Sequence, residues 1–126
     1  MYNIVIVTSR KEDLGDFGRA LETAEKRISL QWVGSGSDAL AVASESTPDL
    51  LVVDETLADM DGLTLIRKLL GINAIINTTL ISPLSSSEFH KATEGLGILS
   101  NLPLSPGEID AREILTRLAE VVVPHP

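Results

Sequence analysis

Four places in this 126-residue chain bring polar side chains to the ends of short apolar runs: Thr8 and Ser9, Asp54, Ser82 with Pro83, and Leu102 to Ser105. In an open parallel sheet ligands collect beyond the carboxyl ends of the strands, where the strand order reverses, so these are the positions to weigh for chemistry. Asp54, closing Leu50-Leu51-Val52-Val53, supplies the one carboxylate among them. Other chemistries find little support. No G-x-x-x-x-G-K-[ST] loop occurs, and Gly34-Ser35-Gly36 runs on into Ser37-Asp38 without a dinucleotide-binding spacing or a phosphate-binding lysine. His90 falls inside a helical pattern and His125 in the tail, neither with a ligand cluster, and His90 reads as a helix-surface residue. No G-x-S-x-G elbow is present to present a nucleophilic serine.

The elements that would position these residues alternate regularly. Asn3 to Thr8 is a continuous β-branched run, the mark of a strand buried on both faces. From Asp13 to Arg27, Leu14, Phe17, Leu21 and Ala24 recur at helical spacing. Ile28 to Val33 reads as a second strand, and Ser37 as the N-cap of a helix from Asp38 to Glu45, stopped by Pro48. The third strand is Leu50 to Val53, ending at Asp54. Asp61-Gly62 marks a turn, with Asp59 and Asp61 as turn residues, and Leu63, Ile66, Leu69 and Leu70 stripe the next helix.

A fourth strand spans Asn77 to Ser82. Ser85 and Glu88 form a capping box for a helix ending near Gly95 or Gly97. Ile98 to Leu102 is a short fifth strand. Ser105-Pro106-Gly107-Glu108 carries the start signal of a last helix, whose Ile109, Ile114, Leu115 and Leu118 are expected to face the core. Strands alternating with helices imply crossover units and a parallel sheet covered on both faces, a three-layer α/β sandwich. The domain is expected over 1–122, with 123–126 a tail or the start of a linker.

Composition narrows the function. Lys and Arg number 10 against 18 Asp and Glu, a formal charge of -8 that argues against nucleic acid as a direct partner, since such affinity rests on cations displacing counterions. With 44% hydrophobic residues the chain is set to pack, and with 3% aromatics its core must be aliphatic. The absence of cysteine excludes thiolate and disulfide chemistry and suits the cytoplasm. No apolar run approaches the roughly 20 residues needed to cross a bilayer.

Pro48-Asp49-Leu50-Leu51-Val52-Val53-Asp54, followed by Met60-Asp61-Gly62-Leu63, resembles the signature of response-regulator receiver domains of two-component systems. The resemblance extends over the whole chain in element order and spacing. It implies a flavodoxin-like fold, a five-stranded parallel sheet of order 2-1-3-4-5 flanked by five helices. It also implies roles: Asp54 as candidate phosphoacceptor, Ser82 as candidate switch hydroxyl, and a protein-contact face made by the fourth helix, fifth strand and fifth helix.

The family's pattern breaks at four positions. Its acidic pair after the first strand, which with the acceptor holds a hard divalent cation such as Mg2+, is replaced by Thr8 and Ser9. Asp54 is then the one retained candidate ligand, and no metal site is assigned. Glu12 and Asp13 follow closely enough to swing inward, although acids at this point also suit the start of the first helix. The family's lysine aligns with Leu104, and its aromatic switch partner with Asn101. Phosphoryl transfer to a carboxylate depends on cations neutralising crowded oxygens, so these losses compound.

Two readings follow. In the first, the chain is the receiver domain of a phosphorelay, with a histidine kinase or phosphotransfer protein upstream, Asp54 as acceptor, and an output domain or partner protein downstream. In the second, it is a degenerate receiver acting without phosphate as a constitutive adaptor or dimerisation module. The residues leave both open: Asp54 serves equally as acceptor or as a strand-terminal carboxylate holding the next loop, and Ser82 as switch or as a hydroxyl satisfying local backbone. Leu102-Pro103-Leu104 suits a homodimer or partner surface, or a buried strand. A small α/β enzyme or flavin-binding domain rests on fold analogy alone.

Overall fold

The structure is a computed structural model that describes residues 2–24 and 27–122. The tail or linker read at 123–126, and Glu25 and Lys26 near the end of the first helical pattern, lie outside the described residues. Five strands, β1 (Tyr2–Val7), β2 (Ile28–Val33), β3 (Leu50–Asp54), β4 (Asn77–Ile81) and β5 (Ser100–Leu102), alternate with α1 (Gly15–Ala24), α2 (Gly36–Glu45), α3 (Gly62–Ile72), α4 (Ser86–Ala92) and α5 (Glu108–Val121). The sheet is parallel throughout with order β2-β1-β3-β4-β5. This is the three-layer, flavodoxin-like arrangement expected from the sequence.

Strand periodicity divides the core into two layers. Ile4, Ile6, Leu50, Val52 and Ile81 meet Phe17 and Leu21 of α1 and Ala111, Ile114 and Leu118 of α5. Val5, Val7, Leu51, Val53 and Leu80 meet Ala39 and Ala43 of α2, Leu65, Ile66 and Leu69 of α3, and Phe89 of α4. All five residues of β3 are buried, which explains why this strand reads as an unbroken apolar run. The central strands β1 and β3 run side by side with Val7 opposite Val53, so Thr8 and Asp54 emerge together at the carboxyl edge.

Several boundaries differ from the sequence expectation, each for a local reason. The first helix begins as a 3-10 turn, Lys11–Leu14, before α1, and Ala24 is exposed. The N-cap of α2 is Ser35, whose Oγ accepts from the Asp38 N–H at 3.1 Å. Ser37 does not cap, because Asp59 takes its hydroxyl and amide. Helix α4 stops at Ala92, where the Thr93 hydroxyl bonds back to the Phe89 carbonyl at 2.7 Å. Gly95 and Gly97, at φ 81 and 64, instead shape the loop to a three-residue β5.

At the last helix Gly107, not Ser105, is the N-cap, and its N–H donates to the Asp110 carboxylate at 2.9 Å. The buried face of α5 is set by Ala111, Ile114 and Leu118. Ile109 stands five residues before Ile114, about 140° away around the helix. It is therefore 73% exposed and does not face the core.

Candidate functional site

Asp54 lies at the C-terminal end of β3 with only 2% of its surface exposed. A carboxylate buried this far needs partners for both oxygens. It has four donors. Thr8 Oγ1 donates to Oδ2 at 2.8 Å, and Arg10 forks across the group, Nε to Oδ2 at 2.7 Å and Nη2 to Oδ1 at 3.1 Å. The Glu55 N–H completes the set on Oδ1 at 3.0 Å. Thr8 also fixes the loop that delivers Arg10, its Oγ1 accepting the Arg10 backbone N–H at 3.0 Å. Two-pronged guanidinium–carboxylate contacts are among the stronger charge-assisted hydrogen bonds.

The pair is asymmetric in exposure, with 29% of the Arg10 side chain and 3% of the Asp54 side chain accessible. The hydrogen bond to Asp54 raises the Arg10 guanidinium above its ordinary value against the opposing effect of burial, with further help from the charges of Asp54, Asp13 and Glu55. Ser9 is exposed beside this pair. With Arg10, Asp54, Glu55, Thr56 and Leu104 it lines a shallow pocket of about 280 Å³. Leu104, 38% exposed, brings no charge. The cation beside Asp54 thus comes from the β1–α1 connection and not from the end of β5. Glu12 and Asp13 do not swing inward; both are exposed on the 3-10 turn.

These residues do not suit a divalent cation. A hard metal needs several oxygen ligands, chiefly carboxylates, yet both oxygens of Asp54 are taken and Thr8 is committed to the same network. Among the described residues no group of three or more His, Cys, Asp or Glu is placed to hold a metal.

Ser82, next to the end of β4, is also buried and belongs to a separate network. Its Oγ donates to Asn101 Oδ1 at 2.8 Å, and Asn101 Nδ2 donates to the Leu84 carbonyl at 3.1 Å. The Leu84 N–H returns to Ser82 Oγ at 3.4 Å, closing a ring that ties the β4–α4 loop to β5. Leu102 is core, whereas Pro103 and Leu104 are exposed. On the same side of the molecule α4, β5 and α5 border an open cleft of about 750 Å³, with Phe89, Asn101 and Ile114 in its lining and His90, Lys91 and Arg117 at its rim. His90 is exposed on α4, as its pattern indicated.

The β3–α3 loop is held by its aspartates. Asp59 accepts from the Gly36 N–H at 2.8 Å and from the Ser37 N–H and hydroxyl at 3.0 and 2.8 Å, so it caps α2 from outside. Asp61 caps α3 through the Thr64 N–H at 2.7 Å. These bonds hold both carboxyls below the usual range, the Ser37 hydroxyl contributing most at Asp59 and the Thr64 amide most at Asp61. Gly62 is required where it stands: a Cβ there would lie 2.4 Å from the Asp54 carbonyl oxygen.

Sequence reasoning located Thr8, Asp54, Ser82 and Asn101 but missed Arg10. The available signal was position: a long cationic side chain three residues beyond the end of an inner strand can reach the end of the adjacent one.

No family model matches the sequence, and no curated protein matches it. Solved structures do resemble it. The chemotaxis response regulator CheY4 of Vibrio cholerae superimposes with a TM-score of 0.81 at 16% identity, over 94% of this chain and 98% of that one. A CheY-like receiver domain protein from Methanospirillum hungatei gives 0.80 at 19%, covering 95% of both chains. A two-component response regulator from Legionella pneumophila gives 0.79 at 18%, over 95% of this chain and 99% of that one. The chain has the fold of response-regulator receiver domains along nearly its full length.

Proposed function

We propose that this protein is a receiver-type signalling module that acts through protein contact and without phosphorylation at Asp54. The observation that carries the proposal is the set of four donors on the Asp54 carboxylate. A carboxylate that attacks a phosphoryl group must offer an oxygen lone pair to the incoming phosphorus, and cations must neutralise the oxygens that crowd together there. Here the neighbouring guanidinium is spent on the carboxylate itself. Freeing Asp54 would strip the group of its cation and leave a buried charge uncompensated, a costly arrangement.

The Ser82–Asn101–Leu84 ring supports the same view, because it engages the candidate switch hydroxyl with a fixed amide. In this reading the fold presents one constitutive surface. The cleft between α4 and α5 is the candidate partner face, with a mostly polar lining and the charged residues Lys91, Glu94, Glu113 and Arg117 around it. The formal charge of -8 favours a protein over nucleic acid as that partner.

Amide chemical shifts recorded during titration with magnesium, and then with magnesium and beryllofluoride as a phosphoryl mimic, test this reading. The Glu55 and Arg10 amides should stay in place throughout. A saturating shift of the Glu55 amide accompanied by movement around Ser82 would restore the phosphorelay reading, with Asp54 as acceptor and a histidine kinase or phosphotransfer protein upstream.

A further inference from the structure

The two edges of the sheet differ in how they are protected. An edge strand exposes unpaired N–H and C=O groups, and proteins usually guard it with charges, proline, bulges or shortness. Edge strand β5 is three residues long. Edge strand β2, at the other side of the sheet, runs six residues, Ile28-Ser29-Leu30-Gln31-Trp32-Val33, with no charge and no proline.

Its backbone direction follows from the ladder with β1. Tyr2 N–H donates to the Arg27 carbonyl and Thr8 N–H to the Val33 carbonyl, at 2.7 and 3.0 Å. Because successive residues of a strand point their polar groups to opposite sides, Ser29, Gln31 and Val33 turn toward β1. Ile28, Leu30 and Trp32 turn their N–H and C=O outward. Their side chains lie on the α1 face, partly buried against the core, where the Trp32 ring packs so closely on Gly18 that a Cβ there would sit 2.5 Å away. Lys11 lies 5.3 Å over that ring. On the opposite face Ser29 and Gln31 are exposed.

We infer that β2 is a self-association edge and that a second copy of this chain pairs with it antiparallel, about a two-fold axis at Leu30. In that register every outward N–H and C=O of Ile28, Leu30 and Trp32 finds a partner. Leu30 meets Leu30 of the second copy, Trp32 lies beside its Ile28, and Ser29 faces its Gln31. Arg27 falls opposite Val33 and not opposite another charge. A chain of charge -8 repels its own copies, and the six residues of β2 bring no charge to the approach of two copies. The inference does not depend on the state of Asp54.

The absence of cysteine makes the register testable by cross-linking the full chain. Ser29 and the Gln31 opposite it form a non-hydrogen-bonded pair, with Cα atoms about 4.5 Å apart, inside disulfide range. Mixed Ser29→Cys and Gln31→Cys chains should therefore give a disulfide-linked dimer on mild oxidation, several-fold faster than either variant alone. Sedimentation of the unmodified chain at rising concentration should show a species of twice the mass. The variant Ser29→Lys with Gln31→Lys, which alters only exposed side chains, should stay monomeric while keeping its native circular dichroism. A monomer at every concentration, cross-linking that ignores the register, or a dimer that survives the two lysines would each overturn the proposal.

Discussion

Arg10 grips Asp54 through two nitrogens at 2.7 and 3.1 Å, placing a permanent cation on the buried carboxylate that ends the third strand. The contact joins the β1–α1 connection to the centre of the sheet, so it bears on stability as well as on chemistry.

Replacing Arg10 with Ala removes two of the four donors and leaves Asp54 charged and buried. The expected loss is about 2 kcal/mol in denaturant unfolding, in the range for hydrogen bonds to charged groups. It is smaller than for a fully buried pair because 29% of the Arg10 side chain is exposed. Adding Asp54→Asn should recover part of the loss. A double-mutant cycle measures this coupling, and strict additivity would mean the pair contributes nothing beyond its separate residues.

Gly62 and Gly71 should respond oppositely to alanine. At Gly62 the added methyl group runs into the Asp54 carbonyl oxygen, and a cost of about 1–3 kcal/mol is expected from overpacking. At Gly71, exposed in α3 with open space around it, alanine should stabilise by about 0.5 kcal/mol through lower unfolded-state entropy. Thermal or urea unfolding of the two variants gives both signs directly.

Asn101→Ala opens the ring between Ser82 and the Leu84 carbonyl. About 1 kcal/mol of stability should go with it. Amide exchange should accelerate at Leu84 and at the first turn of α4, while the amides of β1 keep their protection. Unchanged exchange at Leu84 would show that the ring does not restrain the β4–α4 loop.

Acid should weaken the fold through its capping carboxylates. Asp59, Asp61 and Glu88 all titrate below their ordinary values because they accept hydrogen bonds at helix N-termini, Glu88 chiefly from the Ser85 amide. A folded-state pKa below the unfolded one stabilises above the unfolded value, about 4, and that contribution fades as pH falls through the folded pKa. Denaturant midpoints should therefore drop below about pH 4, and Asp59→Asn with Asp61→Asn should flatten that drop. The raised pKa of Arg10 lies far outside this window and leaves the slope unaffected.

The layers of the fold were legible because burial imposes periodicity. Leu50-Leu51-Val52-Val53 could only be an inner strand, and the alternation of such runs with striped helices required parallel crossovers. Asp54 was legible by its place at the end of that strand. The Arg10 contact was not, because a side chain reaching across from a loop leaves no period in the sequence. The same limit applies to Ser37, displaced as a cap by Asp59 from 22 residues away. Ile109 was misplaced because it lies about 140° around the helix from Ile114, off the face that Ala111, Ile114 and Leu118 bury.

The measurement closest to the central claim is the intact mass of the protein after incubation with acetyl phosphate and magnesium. With Arg10 and two further donors on the carboxylate, the mass should remain that of the unmodified chain, identical to an Asp54→Asn control. A phosphoryl adduct that forms on the unmodified chain and is lost in Asp54→Asn would contradict the account.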